Sequence, residues 1–157
     1  MAISEDGYIA DANNETPWSD AEWEEFKVFV ASCDVVLIGK RTFQIMKEDE
    51  FVEGPRYIVV TSDKDLDTGK LQKIAINMKE DIPKAAKLGV IGGGDLNGRL
   101  AKLGVIDEMI LDIEPIALGA GTRLFGRYDI PLKLTLLGSK RIGVSTIQRH
   151  YKVISSQ

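Results

Sequence analysis

The chain is poorest in the side chains that most often carry chemistry on their own: its 157 residues include one cysteine, Cys33, and one histidine, His150. A lone cysteine excludes an internal disulfide, and Cys33 lies in an apolar helical stretch, where it reads as a small core residue. His150 falls in the alternating segment Thr146-Ile147-Gln148-Arg149-His150-Tyr151, the pattern of a strand surface. A Ser/His/Asp triad or a His/Cys metal centre has almost nothing to be built from, so no metal is expected, and any enzymatic chemistry has to come from a bound cofactor. Long apolar runs are also missing. Each is interrupted by charge or glycine within about ten residues, too short to cross a bilayer. No charged-then-apolar leader precedes the domain, which makes the cytoplasm the expected compartment. Excess positive charge is absent too: the net charge of -4 leaves no basic footprint for nucleic acid or an anionic membrane, so neither is an expected partner.

What is present is ordinary for a globular chain, 44% hydrophobic and 28% charged. The length suits one domain, residues 1–157, with a substantial core. Strands are predicted at Asp34–Ile38, Tyr57–Thr61, Lys73–Ile76, Gly89–Ile91, Glu108–Ile113, Leu132–Gly138 and Val144–Ile154. Helices are predicted at Asp20–Ser32, Arg41–Lys47, Ile82–Lys87 and Leu96–Leu103. Val35-Val36-Leu37-Ile38 and Ile58-Val59-Val60 are apolar on both faces, as central strands covered by helices must be. The alternation predicts an α/β fold, a mostly parallel central sheet flanked by helices. The last two strands, joined through Ser139-Lys140-Arg141-Ile142-Gly143, should form an antiparallel hairpin at one edge. Ala2-Ile3-Ser4 reads as the tail of a strand, and the chain begins only one residue before it, so a first strand lacking part of its length is expected.

The strongest local signal is Val90-Ile91-Gly92-Gly93-Gly94-Asp95-Leu96-Asn97-Gly98. A buried strand runs into three glycines and then directly into a helix. Glycines allow close backbone approach to a ligand, and a helix start offers free N–H groups to an anion. The spacing is G-x-G-x-x-x-G, not the dinucleotide fingerprint. A second junction, Ile38-Gly39-Lys40-Arg41-Thr42, places two cations and a hydroxyl at a helix start, where cations oppose the macrodipole unless an anion is bound. A third strand ends in Thr61-Ser62-Asp63-Lys64. The two junctions favour a ligand with several phosphates, and the third end adds hydroxyls and a cation on the same edge, outside the carboxyl ends of the strands.

These segments, with Ser4-Glu5-Asp6-Gly7-Tyr8-Ile9-Ala10, Ile106-Asp107-Glu108-Met109 and Pro115-Ile116-Ala117-Leu118-Gly119-Ala120-Gly121-Thr122-Arg123-Leu124-Phe125, occur in the order of a known family. The chain resembles the dihydrofolate-reductase-like superfamily, and within it the branch of the C-terminal reductase domain of the bifunctional riboflavin-biosynthesis deaminase-reductase. The Leu-Gly-x-Gly-x-x-Leu-Phe element points to that branch. The resemblance implies a bound NADPH. Ala2, Ile9 and Ala10 would flank the nicotinamide, and Gly39, Lys40, Arg41 and Thr42 would hold the pyrophosphate and adenosine phosphate. Thr61, Ser62 and Lys64 would complete the 2′-phosphate site. Gly92, Gly93 and Gly94, with Asp95 and Leu96 at the helix start, would pass beneath the pyrophosphate and nicotinamide. Two cations and two hydroxyls at the 2′ position favour NADPH over NADH.

Two departures stand out. Gln44-Ile45-Met46-Lys47-Glu48-Asp49-Glu50-Phe51 is acidic where riboflavin reductases carry an Asp-Pro-containing stretch ending in arginine for a ribosyl-phosphate substrate. Asp112 stands at a strand end where relatives generally carry threonine. On the substrate side, Pro17-Trp18-Ser19-Asp20-Ala21-Glu22-Trp23-Glu24-Glu25-Phe26-Lys27 resembles the stretch whose carboxylate binds a pterin and whose phenylalanine lines the pocket. That places the carboxylate at Glu22, with Asp20 as the alternative, and the wall at Phe26. Ser19-x-x-Glu22 is equally a capping box, in which Glu22 would only satisfy the helix start. Glu22 and Asp112 are the expected catalytic pair, facing one heterocyclic small molecule. The expected reaction is hydride transfer from NADPH to a C=N or C=O bond of a pterin-like ring. The alternatives are a pyrimidine reductase of riboflavin biosynthesis and a non-catalytic NADPH-binding protein. A homodimer is expected from the resemblance and from the apolar entry Ile130-Pro131-Leu132 into the hairpin.

Overall fold

In the computed structural model, which describes residues 1–154, the short β-rich runs and helical stretches resolve into ten strands and three α-helices. In chain order they are β1 (Ala2–Ser4), β2 (Tyr8–Asp11), α1 (Asp20–Ala31), β3 (Val35–Gly39), α2 (Lys40–Ile45), β4 (Arg56–Val60), β5 (Gln72–Ile74) and β6 (Leu88–Val90), followed by α3 (Gly94–Leu103), β7 (Glu108–Glu114), β8 (Gly121–Arg123), β9 (Lys133–Ile142) and β10 (Thr146–Ile154). The strands that read as apolar on both faces form the centre of an all-parallel sheet of order β5-β4-β3-β6. All five residues of β3 are buried. On one face Val36, Ile38, Tyr57 and Val59 pack with Val30 of α1 and Phe43 of α2. On the other, Val35, Leu37, Ile58 and Val60 pack with Leu96 and Leu100 of α3. Each apolar face thus has its own helical cover, the condition for a stable parallel sheet.

The second sheet is mixed, of order β1-β7-β10-β9. β1 runs parallel to β7, and β10 lies antiparallel to both β7 and β9. A two-stranded ribbon, β2 with β8, completes the fold. Glycine fits two places here for different reasons. Gly104 ends α3 at φ +64°, a left-handed cap that L side chains adopt poorly. Gly98 lets α3 approach the loop that follows β8, since a Cβ there would overlap the Phe125 carbonyl and the Tyr128 ring.

The fold is the expected mixed α/β architecture, with three local differences. Ile82–Lys87 is not helical: a 3-10 turn at Lys79–Asp81 precedes it and the chain then runs through bends and irregular structure to β6. Pro83 lacks an N–H and pushes Ile82 into extended geometry, φ -75° and ψ 126°. The Asp81 carboxylate closes the turn by accepting the N–H groups of Asn77 and Met78. The hairpin reverses later than expected: β9 continues to Ile142, with Gly143 at φ +56° starting the turn. Ser139 and Lys140 are ladder residues opposite Arg149 and Gln148. The β2–β8 ribbon, too short for a periodic signal, escaped the sequence reading. Among the described residues no helix is long and apolar enough to cross a membrane.

Candidate active site

Strand alternation builds the first half of the site. On β7, Asp112 and Glu114 are two apart and share a face; in register they stand beside Ala2 and Ser4 of β1, and Asp112 stands opposite Gln148 of β10. Asp112 is 3% exposed, Glu114 5% and Thr146 2%. Helix α1 brings Glu22, itself 5% exposed, into the same cluster. The arrangement answers whether Glu22 merely caps its helix. Ser19 does act as the N-cap, accepting the Glu22 N–H at 3.3 Å. The reciprocal half of the box is filled from elsewhere: the Ser19 N–H and hydroxyl both donate to Glu114 Oε1, at 3.3 and 2.7 Å. Glu114 therefore does for the helix start what Glu22 would have done. The Glu22 carboxyl is left without a hydrogen bond among the described residues.

Burial lifts the Glu22 carboxyl from 4.5 to about 7, with the N-terminal ammonium pulling it down and the charges of Asp112 and Glu114 adding to the rise. Asp112 is held differently. Its Oδ1 accepts from Gln148 Nε2 at 2.8 Å, and its Oδ2 lies 3.6 Å from the N-terminal ammonium. The cluster is thus a buried carboxyl close to neutrality beside two carboxyl groups fixed by donors. Such a group can hand a proton to a ligand or accept one near pH 7. Among the described residues, no group of three or more His, Cys, Asp or Glu side chains is placed to hold a metal ion.

The glycine turns form the second half. The Gly39 N–H donates to the Gly92 carbonyl at 2.6 Å, and a Cβ on Gly39 would stand 3.1 Å from the Gly93 nitrogen. The end of β3 and the triple glycine are in direct contact. Thr42 Oγ1 lies over this junction, 3.1 Å from where a Gly93 Cβ would be. The first helical bond of α3 is from Asn97 N–H to the Gly93 carbonyl, so the N–H groups of Gly94, Asp95 and Leu96 have no partner within the helix. Gly94 also answers to packing: a Cβ there would press on the Arg123 carbonyl and the Gly126 backbone.

The remaining sequence candidates divide. Ala2 and Ile9 are buried and Ala10 is half-buried on the ribbon. Arg41, Ser62 and Lys64 are exposed at the strand ends, and Thr61 is half-buried. Lys40 is not a free cation: its Nζ donates to Asp63 Oδ2 at 2.6 Å. Asp20 is exposed in the first turn of α1, outside the carboxylate cluster. Phe26 stacks on Trp23 at 5.0 Å between centroids and packs on the core of the parallel sheet. Burial pushes the Cys33 thiol up, away from the thiolate a nucleophile requires, and His150 pairs with Glu108 at 2.7 Å. Glu48 and Asp49 are exposed on a 3-10 turn that Glu50 closes by accepting the Lys47 N–H at 2.9 Å.

Four participants escaped the sequence reading: Glu114, Gln148, Asp63 and Asp6. Glu114 was detectable as a second acid in step with Asp112 on a strand whose other face is apolar. Asp6 belongs to the Ser4–Ala10 motif. Its carboxylate takes the N–H groups of Leu118 and Gly119, at 3.0 and 2.7 Å, and the Ser4 hydroxyl at 2.6 Å. These donors hold it down to about 2. This clip ties the β1–β2 turn to the Leu-Gly-x-Gly loop, two motif segments more than a hundred residues apart.

Comparison with known proteins shows the family and the fold. The family model of the RibD C-terminal domain matches residues 1–147. The uncharacterised Bacillus subtilis (strain 168) protein YwjB is 26% identical over 164 residues, covering 96% of this chain and 94% of that protein. Among solved structures, Acinetobacter baumannii RibD superimposes with a TM-score of 0.78 at 18% identity, covering 98% of this chain and 56% of that one. Enterococcus faecalis dihydrofolate reductase complexed with NADP(H) and RAB-propyl superimposes with a TM-score of 0.75 at 17% identity, covering 98% and 94%.

Proposed function

The chain belongs to the RibD C-terminal domain family, and from that premise we propose that it is an NADPH-dependent reductase acting on a C=N or C=O bond of a pterin-like heterocycle. One observation carries the reading. Glu22 is a buried carboxyl, near neutrality, which its own helix cap does not use.

The glycine edge fits a dinucleotide. Gly39 and Gly93 are positions where a Cβ would crowd the neighbouring turn or Thr42, leaving bare backbone for a pyrophosphate to approach, beside the free N–H groups of α3. Gly39, Thr42 and Gly92 to Leu96 would hold the phosphates, Arg41, Thr61, Ser62 and Lys64 the adenosine end, and Ala2, Ile9 and Ala10 would border the nicotinamide. When bound, NADPH supplies the hydride.

The chain's own residues do the rest. Glu22, protonated up to about pH 7, donates its proton to a ring nitrogen or oxygen of the acceptor as charge develops there, or, once ionised, accepts from a ring N–H. Burial, with a smaller contribution from the charges of Asp112 and Glu114, keeps that proton on Glu22 until it is needed. Gln148 holds Asp112 in place from the neighbouring strand. Helix α1, packed on the parallel sheet through Val30, Phe26 and Phe29, holds Glu22 in position.

The test is NADPH oxidation by the purified protein with a panel of pterins and ribosylated aminopyrimidines. Turnover with a pterin supports the proposal. Turnover with only the ribosyl-phosphate pyrimidine assigns the chain to riboflavin synthesis, and NADPH binding without turnover across the panel makes it a cofactor-binding protein.

A further inference from the structure

The parallel register of β3 and β4 sets Gly39 beside Val60. The segments leaving these strands, Lys40 on one and Thr61-Ser62-Asp63 on the other, therefore begin side by side on the edge assigned above to the adenosine end. Their charges meet there: Lys40 Nζ donates to Asp63 Oδ2 at 2.6 Å. Asp63 is held from its own side as well. Its N–H donates to Thr61 Oγ1 and its Oδ1 accepts the Asp65 N–H, both at 3.0 Å. The pair is open to a ligand, with the Lys40 side chain 43% exposed and that of Asp63 34%.

The two forms of the cofactor meet this pair differently. A 2′-phosphate arriving here finds the ammonium already neutralised and a carboxylate that repels it; Arg41 and Ser62, both exposed, are left to receive it. A ribose with free 2′- and 3′-hydroxyls brings donors, and a fixed carboxylate is an acceptor for both. The cation count that favours NADPH in the sequence includes Lys40 without its partner.

We infer that Asp63 sets the cofactor choice of this chain, occupying Lys40 so that the preference for NADPH over NADH stays within about tenfold. The inference rests on the dinucleotide site proposed above and adds to it the specificity-determining residue.

Calorimetric titration of the full chain with NADPH, NADH, 2′,5′-ADP and 5′-AMP tests it without reference to turnover. In the wild type the two cofactors should bind within about tenfold of each other, the scale of one charge-assisted hydrogen bond. Asp63→Asn keeps an acceptor for the Asp65 N–H and releases Lys40. It should tighten 2′,5′-ADP about tenfold and weaken 5′-AMP. Asp63→Ser should shift the preference in the same direction. Lys40→Ala should cost 2′,5′-ADP little in the wild type and about tenfold in the Asp63→Asn background. A wild-type preference for NADPH clearly larger than about tenfold, or Asp63 variants that leave the ratio unchanged, overturns the role of Asp63 while the dinucleotide site stands. Failure of all four ligands to bind overturns both.

Discussion

Replacing Glu22 by glutamine tests the site through two independent readouts, stability and turnover. Burial lifts the Glu22 carboxyl from 4.5 to about 7, so the folded protein keeps a proton that the unfolded chain releases earlier. The associated stability is fully present below about pH 4.5, declines as pH rises, and is lost by about pH 7. At about 1.4 kcal/mol per pH unit, ionising this carboxyl in place costs about 3 kcal/mol at pH 8. Glu22→Gln preserves shape and never ionises. Relative to the wild type it should gain almost nothing at pH 4.5 and about 3 kcal/mol at pH 8, raising the thermal midpoint there by about 6–12 °C. Turnover should move the other way, falling about 10²–10⁴-fold with the loss of the proton donor. Wild-type kcat/KM should decline as pH passes about 7. Melting curves of both proteins between pH 4.5 and 8 decide the first point, and steady-state rates with an accepted substrate decide the second. A stability difference that does not change with pH, or a variant with wild-type turnover, would refute the reasoning.

Asp112→Asn removes a like charge that raises Glu22, so the pH–rate midpoint should move below that of the wild type while NADPH affinity in a calorimetric titration stays unchanged. Asp6 is held down to about 2 by the loop N–H groups it accepts. Its contribution should be present above the ordinary value of 3.8 and fade as pH falls toward 2; Asp6→Asn should speed amide exchange at Leu118 and Gly119 at neutral pH, and unchanged exchange there would rule out the clip. Gly98→Ala forces a Cβ into the Phe125 carbonyl and Tyr128 ring and should cost about 1–3 kcal/mol in a denaturant titration, as overpacking does. We propose a homodimer formed along β9, an edge strand that exposes Leu134, Leu136 and Leu137 and so invites pairing. Light scattering at micromolar concentration should give twice the chain mass, and a monomer mass would count against it.

The parallel sheet was legible because its evidence is local. A strand apolar on both faces, such as Val35–Ile38, can be stable only between two covering layers, and a glycine that follows it marks where the strand must end. The same holds for α1 and α3, whose starts are written in Ser19 and in the glycines before Asp95. Prediction failed where a local signal was outweighed by another nearby. Pro83 overrode a helical run at Ile82–Lys87, and the position free to adopt a left-handed turn was Gly143 rather than the polar residues before it.

The site divides along the same line. The residue types, their order and the strand ends they occupy were readable, because alternation and helix starts are properties of neighbouring residues. Charge partnership was not, since it joins residues far apart in the chain. Whether Glu22 caps a helix or faces a ligand depends on Glu114, 92 residues later, accepting the Ser19 donors. Whether Lys40 is a phosphate ligand or one half of an ion pair depends on Asp63 across two parallel strands. By itself the sequence determined which chemistry was available. Only the tertiary structure decided which polar groups were already satisfied and which were left for a ligand, because a buried group's hydrogen bonds are settled by whatever the fold brings against it.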